Sequence, residues 1–145
     1  MTTRMAIGSI VMMLVLALPA NAGGKDELQR YFSDAAGKVQ ATDNPSEKRQ
    51  ILNESFQTMQ KALDMVQQSP AISKADGVSI DRLRATIRDK QDELAGTNGY
   101  VRVPDQQLNA FSHYVVQDME QADTVVTISL VTLILLAILL VLLLK

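Results

Sequence analysis

The chain has 145 residues, no Cys, no Trp, one His and a formal net charge of −2. A chain of this length supports one small domain; without Cys it has no disulfide, no Cys–His catalytic pair and no lipid-modified cysteine, and its balanced charge gives no electrostatic footprint for nucleic acid. Every charged residue except Arg4 and Lys145 lies between Gly23 and Asp123, so the 47% hydrophobic content is weighted to the two ends and the polar middle has a thin core.

Arg4 precedes an apolar run from Met5 to Leu18, then Pro19 and Ala20-Asn21-Ala22. A positive start, an apolar run of about 7–15 residues and a small-residue cleavage site make a secretory signal, so residues 1–22 are expected to be a signal peptide cut after Ala22. The alternative is a second membrane helix left uncut; either places residues 23–123 on the extracytoplasmic, periplasmic side. Lys25-Asp26-Glu27-Leu28 resembles a retention address but is internal, and such addresses are recognised at the C-terminus.

The spacing of Leu28, Phe32, Ala35 or Ala36, and Val39 predicts a helix over Lys25 to Gln40, weakened by Gly37. Asn44-Pro45-Ser46-Glu47 is a helix start, with Asn44 as N-cap, Pro45 at the first turn and Glu47 placed to reach back. Leu52, Phe56, Met59, Leu63 and Val66 then form a narrow seam that ends before Pro70. Asn53-Glu54-Ser55 matches a glycosylation sequon, but at mid-helix.

Ser69 to Val78 is predicted to be a loop broken by Pro70 and Asp76-Gly77; it lacks the further oxygen ligands of a calcium loop. A third helix is expected over Ser79 to Ala95, with Ile80, Leu83, Ile87 and Leu94 inward and Gly96 as C-cap. Its outer face is assigned Arg82, Arg84, Arg88 and Lys90 among Asp81, Asp89, Asp92 and Glu93, with Arg88 and Asp92 four apart. Arg82, Arg84 and Arg88 are candidate contacts for an anion or lipid headgroup; mixed-sign solvation is the plainer reading. Asn98-Gly99 marks a turn, and Tyr100 to Val103 an extended connector whose Tyr100 is placed over the core.

Pro104 opens a fourth helix carrying Leu108, Phe111, Val115, Met119 and Ala122. From Asp105 to Leu144 there is neither Gly nor Pro, which predicts one continuous stem of about 40 residues, roughly 60 Å long. A hinge at Thr124 to Thr127 is the competing expectation. Val125 to Leu144 is uncharged, and about 20 such residues span the roughly 30 Å of a bilayer core. Residues 124–145 are therefore expected to be a single transmembrane anchor, with Lys145 on the cytoplasmic side by the positive-inside tendency. A C-terminal tail exchanged for a lipid anchor is disfavoured, because Ser112-His113-Tyr114 is a poor processing site.

The chemistry-bearing residues are few. His113 is the only His, sits off the apolar stripe and is a candidate pH-sensing group just above the membrane. No Glu-x-x-His pair, nucleophile elbow or phosphate loop is present, so no catalytic residue, metal ligand or cofactor is assigned. The expected architecture is all-α: an extracytoplasmic up-down bundle of about four helices whose last helix continues into the membrane. The expected role is a non-enzymatic interaction or scaffolding protein of the inner membrane, whose partners are the lipid bilayer and a larger membrane protein complex. Homo-oligomerisation is open, although the span lacks Gly-x-x-x-Gly. The alternative is a ligand- or pH-sensing bundle acting through a membrane partner.

Overall fold

A computed structural model describes residues 27–123 and 128–144, with side-chain surroundings for 28–119 and 130–144. The N-terminal apolar run and its cleavage site, the Thr124 to Thr127 hinge, the Ala122 side chain and Lys145 lie outside these. Among the described residues there are five α-helices and no strand: α1 (Glu27–Ala41), α2 (Pro45–Gln67), α3 (Lys74–Ala95), α4 (Leu108–Asp123) and α5 (Ile128–Leu143). A single 3₁₀ turn, Asp105–Gln107, leads into α4 behind Pro104.

Helix boundaries follow from local chemistry. Asn44 Oδ1 accepts the Ser46 amide at 3.0 Å, and Pro45 opens α2, a cap that contributes about 1 kcal/mol. Glu47 does not reach back to the Asn44 amide as expected; it accepts the Thr42 hydroxyl at 2.7 Å and stiffens the α1–α2 corner. Helix α3 starts earlier than the hydrophobic pattern implies. Ser73 caps it, and Asp76 returns the bond to the Ser73 amide in a capping box. Gly77, expected in a loop, therefore lies inside the helix. At the other end Gly96 takes a left-handed φ of 76°, as the C-cap reading requires, and a Cβ there would lie 2.8 Å from the Arg102 backbone.

Short connections fold α1, α2 and α3 back and forth. Tyr31 meets Ser55 across α1 and α2, and Gln60 with Arg84 and Gln67 with Asp81 set the antiparallel register of α2 on α3. Helix α4 packs along α1, and α3 touches it more lightly. The expected stripes fill the core: Leu28, Phe32 and Val39; Leu52, Phe56, Met59, Leu63 and Val66; Ile80, Leu83, Ile87 and Leu94; Leu108, Phe111, Val115 and Met119 are all buried. Phe32 stands edge-on to Tyr31 at 5.1 Å and tilts on Phe56 at 6.1 Å. Tyr100 does not cover this core; it is exposed, and Val103 packs there instead.

The stem is the main correction. Helix α4 is described as far as Asp123, and α5 lies along α2 and touches α1 rather than standing beyond the bundle. Leu130, Val131, Ile134, Leu135, Ala137 and Ile138 all join the common core. No helix among the described residues is long and apolar enough to cross a membrane. The described part of α5 has 16 residues, about 24 Å at the helical rise, against the roughly 30 Å of a bilayer core.

Candidate functional site

Helix α5 sets the most distinctive surface. Thr132 is the only polar side chain described on it; every other one is Leu, Ile, Val or Ala. One side is buried on the bundle, yet the outward side is almost as apolar: apart from exposed Thr132 it is Leu136, Leu140 and Leu143, 49%, 47% and 68% exposed, with Leu144 just past the helix at 81%. A helix on a water-facing surface keeps a polar side, and one apolar all round belongs in a core or in lipid.

Beneath it, α2 carries two adjacent buried seams. The predicted one, Leu52 to Val66, is apolar. The second, offset by one residue, is half-buried Ile51 with buried Ser55, Thr58 and Ala62. Helix α3 occupies the other side of α2, marked by Gln60, Asp64 and Gln67, so α5 and the edge of α1 cover the second seam. Its polar atoms are satisfied locally. Ser55 Oγ donates to the Ile51 carbonyl at 2.8 Å, and the Tyr31 hydroxyl donates to the Ser55 carbonyl at 3.4 Å. Burial, only partly offset by hydrogen bonds to Thr58 and Ser55, pushes the Tyr31 phenol far above its usual range, so it stays neutral.

Lys90, assigned to the outer face of α3, is instead buried. Its Nζ lies 2.7 Å from Asp118 Oδ2 on α4, 3.4 Å from Glu93 Oε2 and 3.7 Å from the centre of the Tyr114 ring. Burial alone would lower its pKa; the Asp118 hydrogen bond and charge, with Glu93 and Tyr114, outweigh that and hold it above the ordinary value. A lysine kept protonated has no free amine for nucleophilic or base chemistry, so the cluster fastens α4 to α3. The signal was in the sequence: Ile80, Leu83, Ile87, Lys90 and Leu94 form one helical stripe with Lys90 at a core position.

A second fastening was also missed. Arg49 on α2 pairs with Asp105 at 2.7 Å and donates to the Leu94 carbonyl at 3.3 Å and the Val103 carbonyl at 2.5 Å. It thus joins the end of α3, the connector and the start of α4.

The residues singled out from sequence are dispersed. Arg82 and Arg88 are exposed, whereas Arg84 is half-buried and ion-paired with Asp64 at 2.5 Å, an angle that leaves its Nε and Nη2 without hydrogen bonds. Arg84 and Arg88 share a side of α3 and Arg82 faces another, so the three do not converge. Asp92 accepts Thr97 and Asn98 at 2.8 and 2.9 Å and organises the turn after α3 rather than serving only Arg88. These bonds, Asn98 first, lower its pKa. His113 is exposed on α4, with Nε2 2.6 Å from Gln40 Nε2. Either orientation of the Gln40 amide can serve this contact, with the ring nitrogen accepting or donating according to its tautomer.

Among the described residues no group of three or more acids or His could hold a metal ion. Comparison with known proteins gives no match: no family model fits the chain, and no curated protein and no solved structure matches it.

Proposed function

We propose that the chain is a membrane-anchored, non-enzymatic interaction protein, an accessory subunit of a larger membrane complex. Residues 1–22 act as the signal peptide, 23–123 as the extracytoplasmic helical domain and 124–145 as the single-pass anchor in the inner membrane. The observation that carries this reading is the largely apolar outward side of α5, Leu136, Leu140 and Leu143, with Leu144 just past it, which water covers poorly and acyl chains cover well. The uncharged run of the sequence, Val125 to Leu144, supports it by its length, and Asp123 and Lys145 supply polar borders. The charged clusters support a binding rather than a catalytic role, since Lys90, Arg49 and Asp92 are all engaged in holding helices and turns together.

The test is flotation of the full chain with phosphatidylglycerol–phosphatidylcholine vesicles. The wild type floats and resists carbonate extraction. Leu136→Lys with Leu140→Lys, on the exposed side of α5, adds about 2.5–3.5 kcal/mol of insertion penalty per residue at a span centre and abolishes flotation with helicity retained. A wild-type chain that stays at the bottom of the gradient refutes the anchor.

A further inference from the structure

We propose that α5 is an exchangeable cover: without a membrane it lies on the second seam of α2, and with one it leaves for the bilayer and uncovers that seam. This rests on the membrane reading above and adds a conformational consequence to it.

Three observations carry the inference. First, α5 is sealed on one side only. On the bundle it buries Ile134, Ala137 and Ile138, while Leu136, Leu140 and Leu143 stay in water; a bilayer covers the whole circumference, so it wins α5 wherever it is present. Second, the surface left behind is built to stand in water. Ser55 and Thr58 are hydroxylic, Ala62 is small, and the Tyr31 hydroxyl and the Ser55 carbonyl and hydroxyl are polar groups that water satisfies as readily as protein does. The neighbouring seam, Leu52 to Val66, would not tolerate exposure, and it is the one that faces α1, α3 and α4. Third, the other four helices are tied to one another by contacts that do not pass through α5. Helix α4 is held by α1 and by the Lys90–Asp118 pair, and α3 by its register on α2. The docked position therefore masks a surface of α2 that the protein shows only when anchored.

The chain contains no Cys, so single cysteines report the exchange without background. Thr58→Cys sits on the covered seam at 2% exposure, and Ser112→Cys sits on the buried side of α4 at 1%. The full-length chain is synthesised cell-free with and without phosphatidylglycerol–phosphatidylcholine vesicles and treated with a water-soluble maleimide. Vesicles should raise the labelling rate of Thr58→Cys by at least about tenfold and leave Ser112→Cys protected, since only the cover opens. Ala62→Cys on the same seam gives the same answer if Thr58→Cys folds poorly. A chain that floats while both seam cysteines stay protected overturns the exchange and leaves the membrane reading standing. Labelling that rises equally at Ser112→Cys means general unfolding and also overturns it. A chain that does not float removes the membrane reading and the exchange together.

Discussion

Asp118 and Lys90 should be worth far less apart than together. Asp118→Ala leaves the Lys90 ammonium, whose side chain is 4% exposed, with Glu93 at 3.4 Å as its one remaining acid. Stranding a charge this well covered costs about 3 kcal/mol. Lys90→Met is milder. It forfeits a charge-assisted hydrogen bond of about 1.5–3 kcal/mol and a ring contact of about 0.5–1 kcal/mol, but Met keeps the apolar stem packed. Asp118 and Glu93, each about a quarter exposed, regain water, so the net loss is about 2 kcal/mol. The double variant has no stranded charge and should cost about 2–3 kcal/mol rather than the sum, a coupling of roughly 2–3 kcal/mol. Urea unfolding followed by circular dichroism at neutral pH measures all four corners of the cycle. Losses that add to within about 0.5 kcal/mol would show that the two side chains act independently and refute the clamp.

Three further outcomes are expected. Tyr31 and Lys90 both hold their protons more tightly folded than unfolded, so their contribution is intact below pH 10.0 and 10.5, their unfolded values, and is lost as pH rises beyond. Tyr31→Phe should cost less than about 1 kcal/mol at pH 7 and carry the urea midpoint further into the alkaline range; an unchanged alkaline limb would contradict this. Gly96→Ala meets both a left-handed φ and the Arg102 backbone, whereas Gly99→Ala meets a left-handed φ in open space. The first should lose about 2 kcal/mol or more and the second about 1 kcal/mol, read from the same unfolding curves. His113→Ala should change stability by less than about 0.5 kcal/mol in the same unfolding curves, because the ring is exposed; a loss above about 1 kcal/mol would make its contact with Gln40 a structural tie.

The core was legible where periodicity and polarity agree. The Leu52–Val66 seam, the Asn44 cap and the Gly96 cap are each set by neighbours within a turn or two of chain, and all three hold. Lys90 and the Ser55–Thr58 seam were not, because both put polar atoms at core positions. What makes those positions tolerable is a partner that the apolar repeat does not reveal: Asp118 on α4 for Lys90, and the Ile51 carbonyl of its own helix for the Ser55 hydroxyl. The start of α3 was missed for the opposite reason, since the Ser73–Asp76 box is local but lies ahead of the apolar repeat. The stem failed because freedom from Gly and Pro permits a long helix without requiring one. In water, helix α5 gains more by packing its apolar side on α2 than by standing clear of the bundle.

Arg49 also bears on how the fold is reached and lost. Its three acceptors, Leu94, Val103 and Asp105, lie 45, 54 and 56 residues further along the chain. The α1–α2 and α2–α3 corners close over a few residues each, so those hairpins form early. The Arg49 fork has nothing to grip until α3 has run its length and the connector has turned back at Gly96. Bonds made that late lie on the native side of the barrier, where they slow opening and leave the speed of folding nearly untouched. Arg49 is in this sense a latch: it governs the lifetime of the assembled bundle rather than its route to assembly.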